Sequence, residues 1–393
     1  MENTLLVGNG FSRILVSGMP SWEVLLQDKK TPEPYDPYLN NTLRYEKTVL
    51  KQVQSGDGSE NPDSAVKTEL AGKLRIQDNY NPDYEGALNQ FGEQLYCHNV
   101  TNILTTNYED LIESILAKKC GYMEITPADG TILRKQRQNG DQAQSDGDQG
   151  EAGDYIYTAE ELYNIRTRKV YSKTYSEGKK HTVTLWKIHG DASRDDGKSI
   201  ILGFDQYCGQ LTKLLEYLKG HYSSDDNTTT QGHPSGLRYA ECATPMLKKI
   251  ENGTYDGISW AELFFTSNVY IAGFGMDYAE IDLWWLINYR ARLKHIKSLN
   301  IDNQIKIDNH IKYLYHPIYD NPSHNHLIKS RMEAMERFDV ECKPINIFCR
   351  TKLTKTKIEV DSHTGEDRIV SFENTDPVGY LEGIFALIPE RSS

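Results

Sequence analysis

Two side chains in this 393-residue chain combine a reactive type with a suitable setting, His189 and Asn107. His189 lies in LWKIHGDAS, between an apolar strand-like run and a glycine, and it is the only one of the eleven histidines so placed. A histidine with an ordinary pKa of about 6.5 accepts a proton near neutral pH. Asn107 lies in LTTNYEDLIE, where a β-rich run meets a helical one. Its amide suits holding a ribose hydroxyl or a water. Two glycine turns accompany these residues. Gly8-Asn9-Gly10-Phe11-Ser12 follows the apolar LLV, and Gly273-Phe274-Gly275 follows NVYIA, with Asp277 just beyond. Glycines after a strand let backbone amides approach a pyrophosphate without Cβ obstruction, and a nearby acid accepts from a ribose hydroxyl.

Each motif also has a purely structural reading. The hydride-transfer fingerprint G-x-G-x-x-G fails, because Arg13 stands in its third glycine position. Gly8–Ser12 then reads equally as a tight strand-to-helix turn. Thr106 and Glu109 have the spacing of a capping box, with Asn107 as an alternative N-cap. His189 also fits a histidine that only hydrogen-bonds locally, and Asp277 fits a helix N-cap.

The elements that must position these residues alternate between strand and helix. The patterning predicts strands at Thr4–Val7, Val100–Thr105, Asn268–Ala272, Lys312–Tyr315 and Ile345–Phe348. It predicts helices at Tyr84–Cys97, Tyr108–Leu116, Tyr278–His295 and Leu327–Phe338, with the first helix starting near Phe11. That alternation implies an α/β fold with a parallel sheet and ligands at the strands' carboxyl ends. Lys169–Trp186 reads as an inserted hairpin turning at Ser176–Lys179. Asn139–Asp154 and Ser223–Gly236 are polar and Gly-rich, and are expected to be disordered loops. The expected organisation is one domain over 1–350, with insertions at about 125–185 and 222–240, and a C-terminal extension over 351–393.

Composition narrows the function. Hydrophobic residues make up 38% and charged residues 25%, with a formal charge of −12. A general nucleic-acid surface needs a basic field, so direct nucleic-acid binding is not expected. The six cysteines are scattered without a Cys-x-x-Cys pair, which implies reduced thiols and neither a zinc ribbon nor a dithiol site. No signal-peptide pattern and no apolar stretch near the ~20 residues of a membrane span occurs, so a cytoplasmic protein is expected.

The order of the motifs — Gly-x-Gly-Phe-Ser, Thr-Thr-Asn, His-Gly, then a second Gly-x-Gly — resembles the sirtuin-like superfamily. It is most similar to the bacterial sirtuin-like proteins that degrade NAD in anti-phage defence. Gly18-Met19-Pro20-Ser21-Trp22 falls where that family has a Gly-x-Pro cofactor loop, and Ile200–Tyr207 resembles the segment after its His-Gly. The resemblance runs from Leu5 to about Phe348 and implies a Rossmann-like parallel sheet with helices on both faces. It implies NAD as substrate, with Asn107 and His189 catalytic. The binding residues would be Gly8, Asn9, Gly10, Phe11, Ser12, Pro20, Trp22, Thr106, Glu109, Gly273, Gly275 and Asp277.

The chain departs from the deacetylating sirtuins in three places. It lacks the four-cysteine zinc module, so no metal and no deacetylation are expected. Thr106-Asn107-Tyr108-Glu109 stands where sirtuins have Gln-Asn-x-Asp, and Ser21-Trp22-Glu23 stands where they have Asp-Phe-Arg. The implied activity is NAD hydrolysis to ADP-ribose and nicotinamide. The alternatives are a silent NAD- or ADP-ribose-sensing module and an ADP-ribosyl transferase. Control by a nucleotide-sensing or ATPase partner subunit, or by homo-oligomer assembly, is expected, with the Ile281–Ile287 helix and the hairpin as candidate contact surfaces, for both of which ordinary packing is the favoured reading.

Overall fold

The computed structural model describes residues 1–16, 19, 22–26, 39–55, 61–74, 85–125, 132–135, 155–158, 167–176, 178–193, 197, 199–219, 222–224, 237–239, 259–295, 307–316, 326–346, 357–360, 367–371 and 377–391. The apolar run after the N-terminus forms the central strand β1 (Asn3–Val7), buried along its whole length. Strands covered on both faces read as continuous apolar runs, and LLV is such a run. The other strands of the main sheet are β2 (Val100–Thr105), β3 (Met123–Ile125), β4 (Thr167–Thr174), β5 (Lys180–Lys187), β6 (Asn268–Ala272), β7 (Ile311–Tyr315) and β8 (Val340–Pro344). Their order across the sheet is β8-β7-β6-β1-β2-β5-β4-β3.

The six strands from β8 to β5 run parallel, and β4 and β3 add to the edge antiparallel. Numbered in chain order, the parallel strands read 3-2-1-4-5-6 from β5 to β8. This is the Rossmann order, in which the chain builds one way from β1, then returns to build the other way. The reversal falls between β1 and β6, and in sheets of this order ligands bind at the carboxyl ends of the strands beside it.

Side chains alternate between two cores. Leu5 and Val7 join Ile103, Leu185 and Tyr270 on one face, while Leu6 joins Leu104, Trp186 and Ile271 on the other. Helices Asn9–Leu15, Glu85–Cys97 and Pro377–Phe385 cover the first face through Phe11, Leu88, Phe91, Tyr380 and Phe385. Helices Phe204–Lys219 and Ile281–His295 cover the second through Leu214, Leu218, Leu283, Leu286 and Ile287. A third cluster joins Leu25, Tyr45, Leu70, Tyr108, Ile200 and Leu202 beyond the strand ends. Among the described residues no helix is long and apolar enough to cross a membrane.

The strand and helix expectations hold with several corrections. The hairpin is no appended insertion: β5 pairs along β2 and carries β4 and β3 with it. Its turn forms as expected, with Gly178 at φ 72° and its amide donating to the Tyr175 carbonyl at 2.9 Å. The last sheet strand is Val340–Pro344 rather than Ile345–Phe348, and just past its end Ile345 N donates to the Tyr315 carbonyl at 2.8 Å. Phe348 lies outside the described residues. The extension also belongs partly to the main body: the Phe385 and Phe91 ring centroids are 5.8 Å apart, and His98 Nδ1 bonds to the Ile388 carbonyl at 2.7 Å. Asn139–Asp154 lies outside the described residues. Of Ser223–Gly236, Ser223 and Ser224 pair with Arg238 and Leu237, and the remainder lies outside.

Candidate active site

Strand register brings the motifs to one rim. Val7 pairs with Ala272 on one side and Thr105 on the other, and Thr105 pairs with Lys187. The residues that follow, Gly8, Gly273, Thr106 and Ile188, therefore leave the sheet at the same level. Asn107 and His189 each lie two residues beyond the paired Thr105 and Lys187, on neighbouring parallel strands.

The two glycine turns pack directly on each other. A Cβ at Gly8 would meet the Phe274 ring at 2.4 Å, and one at Gly10 the Gly273 carbonyl oxygen at 2.8 Å. Gly273 has φ 60°, and a Cβ there would meet the Phe11 nitrogen at 2.3 Å. Three of the glycines are thus required by close packing of one turn on the other. Phe11 N donates to Gly8 O at 3.0 Å and Gly273 O at 3.2 Å, so that amide is already used. The amides of Asn9 and Gly10 open the helix and have no intrahelical acceptor. Gly275 is open, with only Arg331 near its Cβ direction at 3.7 Å.

Asp277 does not cap the following helix, which begins at Ile281. Its Oδ1 accepts from Ala279 N at 2.9 Å, closing a local turn, and its Oδ2 accepts from Arg331 Nη2 at 2.7 Å. Pro20 lies outside the described residues. Trp22 is half-buried, its ring 5.2 Å from that of Tyr108 and edge-on to it.

The capping box at Thr106 and Glu109 does not form. The helix starts at Leu111 after Asp110, and no side chain caps it. Thr105 Oγ1 instead accepts from the Asn107 amide nitrogen at 3.0 Å. The Asn107 side chain donates through Nδ2 to Ser12 Oγ at 2.8 Å, and Ser12 Oγ donates to Glu109 Oε1 at 2.5 Å. These three buried side chains tie the turn after β1 to the turn after β2. Burial pushes the Glu109 carboxyl above its ordinary range, against the opposing pull of Ser12 and Lys187. Asn107 Oδ1 and Glu109 Oε2 are buried without a hydrogen-bond partner among the described residues. Such groups are rare in folded proteins, and each calls for a partner such as an ordered water, an ion or a ligand.

His189 is almost fully buried, at 1% exposure, and sits between two carboxylates. Its Nε2 lies 3.1 Å from Asp282 Oδ2 and its Nδ1 lies 3.5 Å from Glu280 Oε2. Gln210 Nε2 donates to the same Asp282 oxygen at 2.6 Å, and Tyr207 donates to Glu280 Oε2 at 2.8 Å. The His189 carbonyl accepts from Ile201 N at 2.8 Å. Burial alone would raise Asp282, yet His189, Gln210 and the Leu283 amide hold it below its ordinary value. Burial raises Glu280 to about 7, with Asp282 adding to the rise and His189 opposing it.

A second charged cluster sits beneath. Lys187 Nζ, with no exposure, lies 2.9 Å from Asp110, 2.9 Å from Glu113 and 3.1 Å from Asp191. One ammonium therefore joins the segment after Asn107 to the segment after His189. Two groupings among the described residues have metal-like composition, His189-Glu280-Asp282 and Asp110-Glu113-Asp191. In the first, Nε2 and Nδ1 of the one ring face different carboxylates, those of Asp282 and Glu280. In the second, the Lys187 ammonium already fills the centre.

Asp282, Glu280, Tyr207, Gln210 and Lys187 were not identified as site residues from the sequence. The available signal was a charge within an otherwise apolar run, Asp282 in IDLWWL and Lys187 in LWKI. Among the described residues Cys97, Cys120, Cys208 and Cys342 are free thiols. The helix expected as a contact surface buries Leu283, Leu286 and Ile287 in the second core, with Trp284 and Trp285 packed at its margin.

A scan against protein-family models gives no match to this chain, and no curated protein matches it significantly.

Proposed function

We propose that the protein is an NAD+ glycohydrolase, cleaving the nicotinamide–ribose bond to release ADP-ribose and nicotinamide. The supporting observation is that Asn107 and His189 leave adjacent parallel strands at one level, beside the switch point of a Rossmann-ordered sheet. Ligands bind at that place in open α/β sheets. In this reading the Asn9 and Gly10 amides face the pyrophosphate, and Asn107 Oδ1 and Glu109 Oε2 accept from ribose hydroxyls. The oxidised nicotinamide is already cationic, so it leaves neutral without a general acid. What the site must supply is stabilisation of a ribosyl oxocarbenium, exclusion of bulk water, one positioned water and a proton acceptor. His189 is that acceptor, and a positioned base contributes on the order of 10²–10⁴ in rate.

The resemblance to NAD-degrading defence effectors extends the proposal. Unchecked loss of cytoplasmic NAD would kill the host, so a nucleotide-sensing or ATPase partner, or self-assembly, holds the activity until infection. Incubation of the purified protein with NAD, alone and with candidate partners, followed by chromatography, tests the reading. Free ADP-ribose and nicotinamide are expected, and both disappear in Asn107→Ala and His189→Ala variants that retain wild-type circular dichroism. Intact NAD under every condition, or ADP-ribose recovered only on a protein acceptor, overturns it.

A further inference from the structure

The His189 ring has an acceptor on each side, and its two carboxylates are not equivalent. Asp282 is fully buried and ionised, and it receives His189 Nε2, Gln210 Nε2 at 2.6 Å and the Leu283 amide at 2.9 Å. An ionised carboxylate accepts only, so Nε2 carries a hydrogen. In the neutral ring Nδ1 is then itself an acceptor, and it faces Glu280 Oε2 at 3.5 Å. Two acceptors facing each other in a buried setting repel unless a proton lies between them. Hydrogen bonds at resting active sites are often long and tighten when substrate binds.

From this geometry we propose that Glu280 is the proton-relay partner of His189, sharing one proton with it and exchanging that proton with solvent. Glu280 is the member suited to exchange, since its side chain is 14% exposed while those of His189 and Asp282 are 1% and 0%. The groups facing Glu280 are His189 from the loop after β5, Tyr207 from helix Phe204–Lys219, and Asp277 and Asp282 on its own segment. Tyr207, pushed well above its ordinary range by burial and by Glu280, stays protonated and serves as a fixed donor.

This step rests on the NAD-hydrolase reading. The working form is the pair without its shared proton. The oxygen of water bonds to C1′ of the nicotinamide ribose as the C1′–N bond breaks. The bonding electron pair returns to the pyridinium nitrogen, and nicotinamide departs neutral. The proton lost by water enters the His189–Glu280 pair and leaves to solvent from Glu280.

The test compares wild type with Glu280→Gln, which keeps the side chain's shape but does not titrate. Activity of the wild type should rise with pH through a midpoint near 7, where Glu280 titrates. In Glu280→Gln that acid limb should move to lower pH with the His189 midpoint, with turnover at pH 7.5 down about 10²-fold. NMR of histidine-labelled protein, with the His189 signal assigned from its loss in His189→Ala, gives a readout independent of activity. Removing the carboxylate should lower the His189 midpoint by about 1–3 pH units. An identical His189 titration in the two proteins overturns the shared proton, and an unchanged pH–rate profile overturns the relay. A wild type that never consumes NAD overturns the hydrolase reading, while the ring titration still decides the pair.

Discussion

Asn107 donates to the Ser12 hydroxyl at 2.8 Å, and this one bond fixes the amide's orientation across two separate turns. With Nδ2 committed to Ser12, Oδ1 is the end without a hydrogen-bond partner among the described residues. Ser12 thus positions Asn107 and Glu109. Ser12→Ala leaves buried Nδ2 and Glu109 without their shared partner, at a cost of about 1–3 kcal/mol by urea denaturation. Turnover of NAD should fall about tenfold or more, because the amide regains freedom to flip. Asn107→Asp, which has no N–H to donate, should lose activity more fully than Ser12→Ala loses it.

The contact between the glycine turns makes a second prediction. Gly273→Ala places a Cβ 2.3 Å from the Phe11 nitrogen at φ 60°. Backbone strain of about 1–3 kcal/mol adds to overpacking of about 1–3 kcal/mol, so a large fall in the urea midpoint is expected. Gly275→Ala meets only Arg331, at 3.7 Å, and should stay within about 0.5 kcal/mol of wild type. Equal stability of the two variants would refute the packing explanation for the first turn pair.

What was legible beforehand divides along physical lines. Fully buried strands such as Leu5–Val7 and Val269–Ala272 are apolar runs flanked by glycines, and such runs can be read directly. His189 and Asn107 stand at strand ends, so their place on the rim followed once the strands were right. Glu280 and Asp282 did not follow, because sequence distance hides them: they reach His189 only through the reversal that places β6 beside β1. Thr106 and Glu109 matched a capping box by spacing, but the tertiary bond from Ser12 to Glu109 won over the local one. Spacing records local geometry, and the site is built from contacts between turns far apart in the chain.

His181 makes the prediction on pH. It packs beside Tyr122, whose hydroxyl lies 2.7 Å from His181 Nδ1, and burial lowers its pKa to about 4, with Arg391 adding to the effect. In the unfolded chain its pKa is about 6.5. As pH falls from about 6.5 towards 4, the unfolded state takes up a proton that the folded state refuses, so stability falls. The full contribution is present above the unfolded value and is lost through the folded one. At about 1.36 kcal/mol per unit the loss is on the order of 3 kcal/mol. Urea denaturation at pH 7 and pH 4 should show that loss in wild type and a smaller one in His181→Gln.

Lys187 offers the sharpest stability test. Burial alone would lower its pKa, but Glu113, Asp191 and Asp110 raise it above the ordinary lysine value, so the ammonium stays charged inside the protein. Replacing a buried ion cluster wholesale with apolar residues is often neutral, whereas removing one partner strands the rest. Lys187→Met removes the charge that joins all three carboxylates. Asp191, held low against its burial by Lys187 and Ser193 together, would then lose its ammonium, and Glu113 would keep only Lys169 at 3.5 Å. The expected cost is about 3–5 kcal/mol. Because the same ammonium joins the segments after Asn107 and His189, the variant should also lose NAD turnover at temperatures where it is still folded. Restoring charge balance with Lys187→Met together with Asp191→Asn and Glu113→Gln should recover part of the stability but not the turnover. Recovery of both would mean that the cluster serves folding alone.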